Sequence, residues 1–314
     1  MFGVEDKGMS KTIYSYFNGE IVPLADAKIS IMTHAFNYGT ACFEGIRAYW
    51  NEQKQQLYAF RMLEHYQRLA GSTRIMSLSL PHTPEELCGI TRQLLRTNDF
   101  HEDVYMRPTC YISSEVIGVK LHGLDVGLCI YSVPFGGYVD TEKGLKVGVS
   151  SWKRIDDNMI PARSKIAGAY ANSAFAKTEA LLNGYDEAIM LTNDGHVSEG
   201  SAENVFMLVG GKLITPSVTE NVLVGITRHT VMELARREMG LEIVERGIDR
   251  TELYTCDELF LCGTGAQIAP VTHVDHRAVG DGNVGPVSAR IQQIYFDVVR
   301  GKMDKYLEWC TPIY

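Results

Sequence analysis

The amino-acid sequence predicts an α+β protein of two domains: a smaller amino-terminal α/β domain and a larger carboxyl-terminal domain that has a barrel-like β-sheet with helices outside it. Three observations lead to this fold. The chain has 314 residues, more than one domain usually needs. Short apolar strands in hairpin order alternate with amphipathic helices. Glycines and charges cluster in PFGGYVDTEKG, so we place an interdomain connection at 134–144, between domains at 1–133 and 145–314.

The amino-terminal elements have clear local signals. Asn18-Gly19 is a two-residue turn suited to positive φ, which predicts a hairpin of strands at 13–17 and 20–24. A helix begins after Thr83, where Thr-Pro-Glu-Glu provides an N-cap, a proline at the first helical position and a capping box. The other elements of this half are one helix and two strands, predicted at 61–75, 104–112 and 126–133.

The carboxyl-terminal half is predicted to contain a mostly antiparallel, barrel-like sheet, because its strands are short and follow one another through tight turns. A helix at 169–183 ends before Gly184, a residue typical of helix C-termini. The strands of this sheet are predicted at 145–151, 187–192, 196–198, 204–209 and 212–215. The outer helices are predicted at 227–239 and about 286–300.

Composition excludes several classes of protein. The net charge of -8 provides no basic surface for nucleic acid, and no apolar run is long enough for a membrane span. Seven cysteines without a CxxC pair indicate reduced thiols in a cytoplasmic protein. The opening MFGVEDKGMSKT predicts no secretory signal, and Met9 is an alternative start. The absence of HExxH, GxSxG and Walker motifs argues against a metal site and against the common nucleophile and nucleotide sites.

Two charged residues stand in small-residue surroundings that suit a planar ligand. Lys165 lies in PARSKIAGAYANSA, where a partly desolvated amine could form a Schiff base, although a solvated surface lysine fits the same pattern. Glu199 lies in GHVSEGSAENVF at the end of a predicted strand. It could pair with a buried cation or simply cap a turn.

Two loops could bind an anion. The run Leu223 to Arg228 leads into a helix, whose free N–H groups favour phosphate, and Thr227 can add a hydroxyl or act as an N-cap. The turn Thr264-Gly265-Ala266 follows an apolar strand and is either a second anion-binding turn or only a turn.

An aromatic and basic set completes the candidates. Arg107 is either a structural ion-pair partner or a bidentate carboxylate binder. The aromatic members of the set are Tyr38, Tyr105, Phe135 and Tyr138.

The stretch from Lys165 to Phe206 strongly resembles the fold-type IV aminotransferases. Four further motifs occur in the family's order: HAFNYGTACFEGIRAY (34–49), VYMRP (104–108), VLVGITR (222–228) and LCGTGAQIAPV (261–271). The match covers about residues 14 to 300. YGTACFEGIR together with VYMRP resembles the branched-chain amino acid aminotransferases within this family.

The resemblance implies pyridoxal 5'-phosphate as cofactor and Lys165 as the catalytic residue that binds it covalently and moves the substrate proton. Glu199 would pair with the pyridine nitrogen, Tyr170 would contact the phenolic oxygen, and Leu223 would pack on the ring. The phosphate would be held by Arg68, Ile226, Thr227 and Thr264. The substrate would be bound by Tyr38, Phe43, Tyr105, Arg107, Phe135, Tyr138, Tyr170, Gly265 and Ala266, with Val119 from a partner subunit of a homodimer or higher homo-oligomer.

The implied reaction is ping-pong transamination of Leu, Ile or Val with 2-oxoglutarate. This chain departs from many relatives at Gly265, Gln267 and Ala269, at Phe135, and in the loop 115–123, which affects the expected substrate range more than the reaction type. An (R)-amine or D-amino acid transaminase, an aminodeoxychorismate lyase and a non-catalytic cofactor-binding protein remain alternatives. Lys165 argues against the last of these.

Overall fold

A computed structural model describes residues 12–136 and 143–314. Met9 and Tyr138, both singled out above, lie outside these described residues. The elements of the amino-terminal part are β1 (Tyr14–Phe17), β2 (Glu20–Pro23), α1 (His34–Tyr38), β3 (Ala41–Phe43), β4 (Ile46–Asn51), β5 (Gln56–Phe60), α2 (Met62–Ile75), α3 (Pro84–Asn98), β6 (Val104–Ile112) and β7 (Val126–Pro134).

The remaining elements lie within residues 143–314. They are β8 (Leu145–Val149), α4 (Tyr170–Leu182), β9 (Glu187–Leu191), β10 (Val197–Gly200), β11 (Asn204–Val209), β12 (Lys212–Pro216), α5 (Ile226–Met239), β13 (Ile243–Arg246), β14 (Glu258–Gly263), β15 (Gln267–Val274), β16 (Arg277–Ala278), α6 (Pro286–Val299) and β17 (Cys310–Pro312). No helix in the described ranges is both long and apolar enough to span a membrane.

The first sheet is antiparallel, with strand order β17-β5-β4-β6-β7-β1-β2, and β3 pairs with β6. The predicted hairpin around Asn18-Gly19 is confirmed in register, since Phe17 pairs with Glu20. The capping box of α3 is also confirmed. Thr83 Oγ1 accepts a hydrogen bond from the Glu86 N–H at 3.2 Å, and the Glu86 carboxylate accepts one from the Thr83 N–H at 2.8 Å.

The second sheet has the order β10-β9-β8-β15-β14-β11-β12-β13, and β16 pairs with β15. Most pairings are antiparallel as predicted, but β8 lies parallel to both β9 and β15, and β12 lies parallel to β13. The sheet curls on itself, because the Val197 N–H on the β10 edge donates to Ile248 O at 2.8 Å, just beyond β13 on the other edge. The barrel-like shape is therefore confirmed.

The strands of the first sheet come before residue 137 in the sequence and those of the second sheet come after residue 142, except that β17 returns from the C-terminus to pair with β5 of the first sheet. The domain limits 1–133 and 145–314, with the connection at 134–144, stay a prediction.

The segment 164–169 joins the two sheets. The Phe43 N–H of β3 donates to Lys165 O at 3.0 Å, and the Gly168 N–H donates to Gly39 O at 3.1 Å. Gly39 has a φ of +67°, and a Cβ added there would lie 2.7 Å from the Gly168 Cα. Only glycine fits at this crossing, which holds the Lys165 backbone against β3.

Candidate active site

Lys165 lies at the junction of the two sheets. Its N–H donates to Ser72 Oγ at 3.1 Å, and its Nζ donates to Tyr170 Oη at 2.5 Å. The amine also lies 5.0 Å from the centre of the Phe43 ring. The side chain is half-buried and lines two adjoining cavities, so it is not the solvated surface lysine that the sequence pattern also allowed.

The first cavity has a volume of about 600 Å³ and opens to solvent. All the residues assigned above to the cofactor line it: Arg68, Lys165, Tyr170, Glu199, Leu223, Ile226, Thr227 and Thr264. They come from α2, the 164–170 segment, β10, the loop before α5, the start of α5 and the turn after β14. The fold therefore brings together residues that are up to 196 positions apart in the sequence, counted from Arg68 to Thr264.

Glu199 is a buried carboxylate with three donors. Its Oε1 lies 2.9 Å from Arg154 Nε, and its Oε2 accepts from the Leu223 N–H at 3.0 Å and from Asn204 Nδ2 at 3.2 Å. Burial raises the pKa of Glu199, while Arg154, the Leu223 N–H and Lys165 act in the opposite direction. A further cation beside this carboxylate would favour its ionised form.

Arg68 is held by a buried carboxylate that the sequence did not identify. Glu44, which has no exposed surface, accepts from Arg68 Nε at 2.7 Å, from Arg68 Nη2 at 2.8 Å and from His65 Nδ1 at 2.7 Å. Burial alone would raise the pKa of Glu44, but Arg68 and His65 hold it at about 2. Arg68 Nη1 also donates to Val224 O at 2.9 Å, so the guanidinium is fixed next to the loop that leads into α5.

This cavity fits the cofactor that the resemblance implies. The first N–H groups of α5 lack intrahelical acceptors, and together with Arg68 and the Thr227 and Thr264 hydroxyls they form a donor set suited to phosphate. Glu199 suits a protonated ring nitrogen, and Lys165 with Tyr170 suits an aldehyde and an adjacent phenolic oxygen. Among the described residues there is no cluster of His, Cys, Asp and Glu that could hold a metal ion.

The second cavity has a volume of about 1000 Å³ and adjoins the first at Lys165, Tyr170 and Thr264. Seven residues assigned above to the substrate line it: Phe43, Tyr105, Arg107, Phe135, Tyr170, Gly265 and Ala266. Tyr105 Oη accepts from Arg107 Nη2 at 2.7 Å and from Arg107 Nε at 3.1 Å. The Arg107 guanidinium lies 4.4 Å from the centre of the Phe43 ring, so a cation and aromatic faces share this space.

Gly45 permits the position of Tyr105. A Cβ added to Gly45 would lie 2.3 Å from Tyr105 Oη, which is closer than any side-chain contact allows. Any larger residue at position 45 would displace this hydroxyl from the cavity that both residues line.

Tyr38 and Val119 are not among the residues that line either cavity. They lie together on the surface of the subunit, where Tyr38 Oη accepts from the Gly118 N–H at 3.3 Å and the Val119 side chain is 79% exposed. From the sequence, Val119 was expected in the pocket of a partner subunit and not in that of its own chain. Tyr138, the remaining residue assigned to the substrate, lies outside the described residues.

Sequence reasoning missed several residues of the site. Arg47 and Glu44 were within the quoted EGIR motif but received no role. Glu203 follows Glu199 by four positions and lines both cavities. Burial and the neighbouring Glu187 carboxylate raise the pKa of Glu203. Arg154 had no sequence signal at all.

The fold and the site define a pyridoxal-phosphate enzyme of fold type IV, and comparison with known proteins places the chain within that class. The model of the family "Amino-transferase class IV" matches residues 41–274. The chain therefore belongs to the class IV aminotransferases, and pyridoxal phosphate is its cofactor.

Similar proteins are named as branched-chain aminotransferases. The chain is 51% identical over 301 residues to a probable branched-chain-amino-acid aminotransferase of Aquifex aeolicus (strain VF5), and the match covers 96% of this chain and 97% of the relative. The structure superposes with a TM-score of 0.93 on the branched-chain aminotransferase of Thermoproteus uzoniensis with norvaline, at 41% identity over 97% of this chain and 100% of the other. It superposes with a TM-score of 0.92 on the T.th. branched-chain amino acid aminotransferase complexed with N-(5'-phosphopyridoxyl)-L-glutamate, at 35% identity over 97% and 99% of the two chains.

Proposed function

We propose that this enzyme transaminates the branched-chain L-amino acids Leu, Ile and Val, with 2-oxoglutarate as amino acceptor, by a ping-pong mechanism. The observation that carries the proposal is the second cavity, in which aromatic faces and the Arg107–Tyr105 pair adjoin Lys165. The names of the relatives support the branched-chain substrates, and the relative bound to a phosphopyridoxyl derivative of L-glutamate supports the acceptor.

Lys165 is proposed to hold the cofactor covalently and then to move the proton at the substrate Cα. Tyr170, whose hydroxyl is 2.5 Å from Lys165 Nζ, keeps the amine oriented and contacts the phenolic oxygen. When bound, pyridoxal phosphate supplies the electron sink for the negative charge that develops at the substrate Cα. Glu199 would favour the protonated ring nitrogen, and Leu223 would pack on the ring.

The phosphate is proposed to lie against Arg68, the Ile226 and Thr227 end of α5, and Thr264. A cation and a helix N-terminus stabilise a dianion together, and the Glu44 carboxylate fixes the cation in place. These residues would hold the phosphate without any contribution from Lys165.

The substrate pocket has to accept two kinds of side chain in turn. Phe43, Tyr105 and Phe135 present apolar faces for a branched chain, and Arg107 is positioned for the second carboxylate of glutamate. Tyr105 and the N–H groups of Gly265 and Ala266 are proposed to bind the α-carboxylate common to all substrates.

Two separate half-reactions test the function. Leucine added to the enzyme loaded with pyridoxal phosphate should change the cofactor absorbance, and 2-oxoglutarate added afterwards should restore it. Reaction only with (R)-amines or D-amino acids would favour that alternative. Release of pyruvate from added aminodeoxychorismate, without an amino acceptor, would favour a lyase. No absorbance change with any amine would contradict catalysis itself.

Arg107→Leu should raise the KM for 2-oxoglutarate and glutamate by about one to two orders of magnitude, because a charged hydrogen bond is worth about 1.5–3 kcal/mol. Leucine should lose a smaller factor, through the Tyr105 hydroxyl that Arg107 holds. The two half-reactions measure both values. Tyr105→Phe is the matched control, since it should affect both substrates alike. Equal losses with Arg107→Leu would show that the arginine acts only through Tyr105.

We propose that the enzyme is at least a homodimer. Apolar side chains are exposed around Tyr38 and Val119, with Ile31 at 80% and Ile117 at 93% exposure. A second copy that covers this surface would bring Val119 to the partner's pocket. Such a partner also explains why Tyr38 and Val119 are separate from the cavities of their own chain.

Ile117→Lys should therefore yield monomers in sedimentation and reduce activity. Leu182→Lys is the control, because Leu182 is 82% exposed on α4, away from this surface. A wild-type enzyme that sediments as a fully active monomer would contradict the proposed dimer.

A cytoplasmic location is also proposed. All seven cysteines are free thiols, and most of them are buried, which fits a reducing compartment.

A further inference from the structure

Arg47 is a buried arginine behind the second cavity. It lies on β4, its residue exposure is 2%, and within residues 12–136 and 143–314 no carboxylate lies at ion-pair distance from it. Its Nε is also buried without a hydrogen-bond partner among these residues. A buried cation without a carboxylate is costly, so its remaining contacts call for a functional explanation.

Those contacts are three carbonyl oxygens on two different loops. Arg47 Nη1 donates to Gly265 O at 3.2 Å, and Nη2 donates to Phe135 O at 2.6 Å and to Gly136 O at 2.8 Å. The guanidinium also lies 5.0 Å from the centre of the Phe135 ring. Phe135, Gly265 and the adjacent Ala266 line the second cavity, so one side chain fixes two of its walls from behind.

The contact with Gly265 also orients a donor. The Gly265 carbonyl and the Ala266 N–H belong to one planar trans peptide unit, in which they point in opposite directions. A carbonyl that faces Arg47 therefore turns the Ala266 N–H away from Arg47. Hydrogen bonding of the carbonyl to a cation also polarises the peptide, which makes its N–H a stronger donor.

The walls are linked to Tyr105 as well. The Phe135 ring lies 5.3 Å from the Tyr105 ring, and Tyr105 is the other residue proposed to contact the α-carboxylate. The positive charge of Arg47, which lies behind these walls, also favours an anion in this part of the cavity.

We propose that Arg47 is a positioning residue for the substrate α-carboxylate, which it controls through the Gly265-Ala266 peptide and the Phe135 wall without touching the substrate. This inference rests on the proposed function, because it takes an α-carboxylate to be the group bound at Gly265 and Ala266. It makes Arg47 a determinant of selectivity for amino acids over simple amines.

The test compares two probes on the enzyme loaded with pyridoxal phosphate. 4-Methylvalerate has the carboxylate and the branched chain of leucine but no amine, and its dissociation constant is measured by calorimetry. 3-Methylbutylamine has the amine and the branched chain but no carboxylate, and its apparent dissociation constant is measured from the cofactor absorbance. Arg47→Met removes the donors and keeps much of the side-chain volume.

We expect Arg47→Met to weaken 4-methylvalerate binding by about ten- to a hundredfold and to leave 3-methylbutylamine within about twofold of wild type. Arg47→Lys, which keeps the charge, should recover part of the loss. Arg300→Lys is the matched control. Arg300 contacts the same Tyr49 ring as Arg47 but donates to Trp50 O and Asp103, and this variant should leave both probes unchanged.

Equal weakening of both probes in the Arg47 variants would show a merely structural role and overturn the inference, as would unchanged binding of 4-methylvalerate. Arg47→Lys alone decides the question by the same comparison if the methionine variant does not fold. Failure of the proposed function is visible separately in the wild-type enzyme. A wild type that binds 4-methylvalerate and reacts with leucine, but whose Arg47 variants bind as wild type does, refutes only the inference. A wild type that neither binds 4-methylvalerate nor reacts with leucine refutes the proposed site as well.

Discussion

Lys165→Ala is expected to reduce transamination by at least about 10⁴-fold, since it removes the amine proposed to bind the cofactor and to move the substrate proton. The fold should remain, because the Lys165 side chain has a single hydrogen bond among the described residues, to Tyr170 Oη. The backbone contacts of residue 165 with Phe43 and Ser72 do not depend on the side chain. Turnover, circular dichroism and melting temperature should be measured together.

Lys153→Ala is the matched control for this experiment. Lys153 is an exposed lysine twelve positions earlier, and its alanine variant should retain wild-type turnover. A Lys165→Ala enzyme that keeps more than about one hundredth of wild-type turnover would contradict the assignment of Lys165 as the catalytic lysine. If Lys153→Ala lost as much turnover as Lys165→Ala, the loss would not be specific to Lys165.

Glu199→Gln is expected to slow the leucine half-reaction by roughly a hundredfold or more, a loss comparable to that of one preorganised electrostatic group. The neutral amide cannot keep the cofactor ring nitrogen protonated by charge pairing, so the electron sink is weakened. The cofactor should still bind, because Arg68 and the start of α5 are the residues proposed to hold its phosphate. Stopped-flow absorbance gives the rate, and equilibrium dialysis gives cofactor affinity.

Glu44→Gln should have the opposite effects on cofactor affinity and on the rate of the half-reaction. Glu44 fixes Arg68 rather than the ring, so its loss should weaken cofactor binding more than it slows the half-reaction of the loaded enzyme. An unchanged half-reaction rate in Glu199→Gln would place the ring-nitrogen partner at another residue.

The sequence predicted those parts of the fold that have local signals. The Asn18-Gly19 hairpin and the capped helix after Thr83 depend on residues within a few positions of each other, and both occur as predicted. β4 was missed because all six of its residues are buried, so it lacks the alternation of a half-buried strand. β17 pairs with β5 about 250 positions earlier, and no local pattern encodes that contact.

The residues of the candidate site also divide into those that a local motif reveals and those that only the folded chain brings together. Lys165 and Glu199 are in distinctive motifs, and the fold places them around one cavity. Arg154 approaches Glu199 from 45 positions away, and Glu44 approaches Arg68 from 24 positions away, so only the folded chain reveals these pairs. The sequence offered Arg107 as a direct carboxylate binder, and the structure adds that it also holds Tyr105.

Chemical labelling gives the most direct test of whether Lys165 binds the cofactor. The enzyme loaded with pyridoxal phosphate is reduced with borohydride, digested and mapped by mass spectrometry. The phosphopyridoxyl group should be found on the peptide that contains Lys165. A label on Lys153 or Lys177 instead, with Lys165 unmodified, would contradict it.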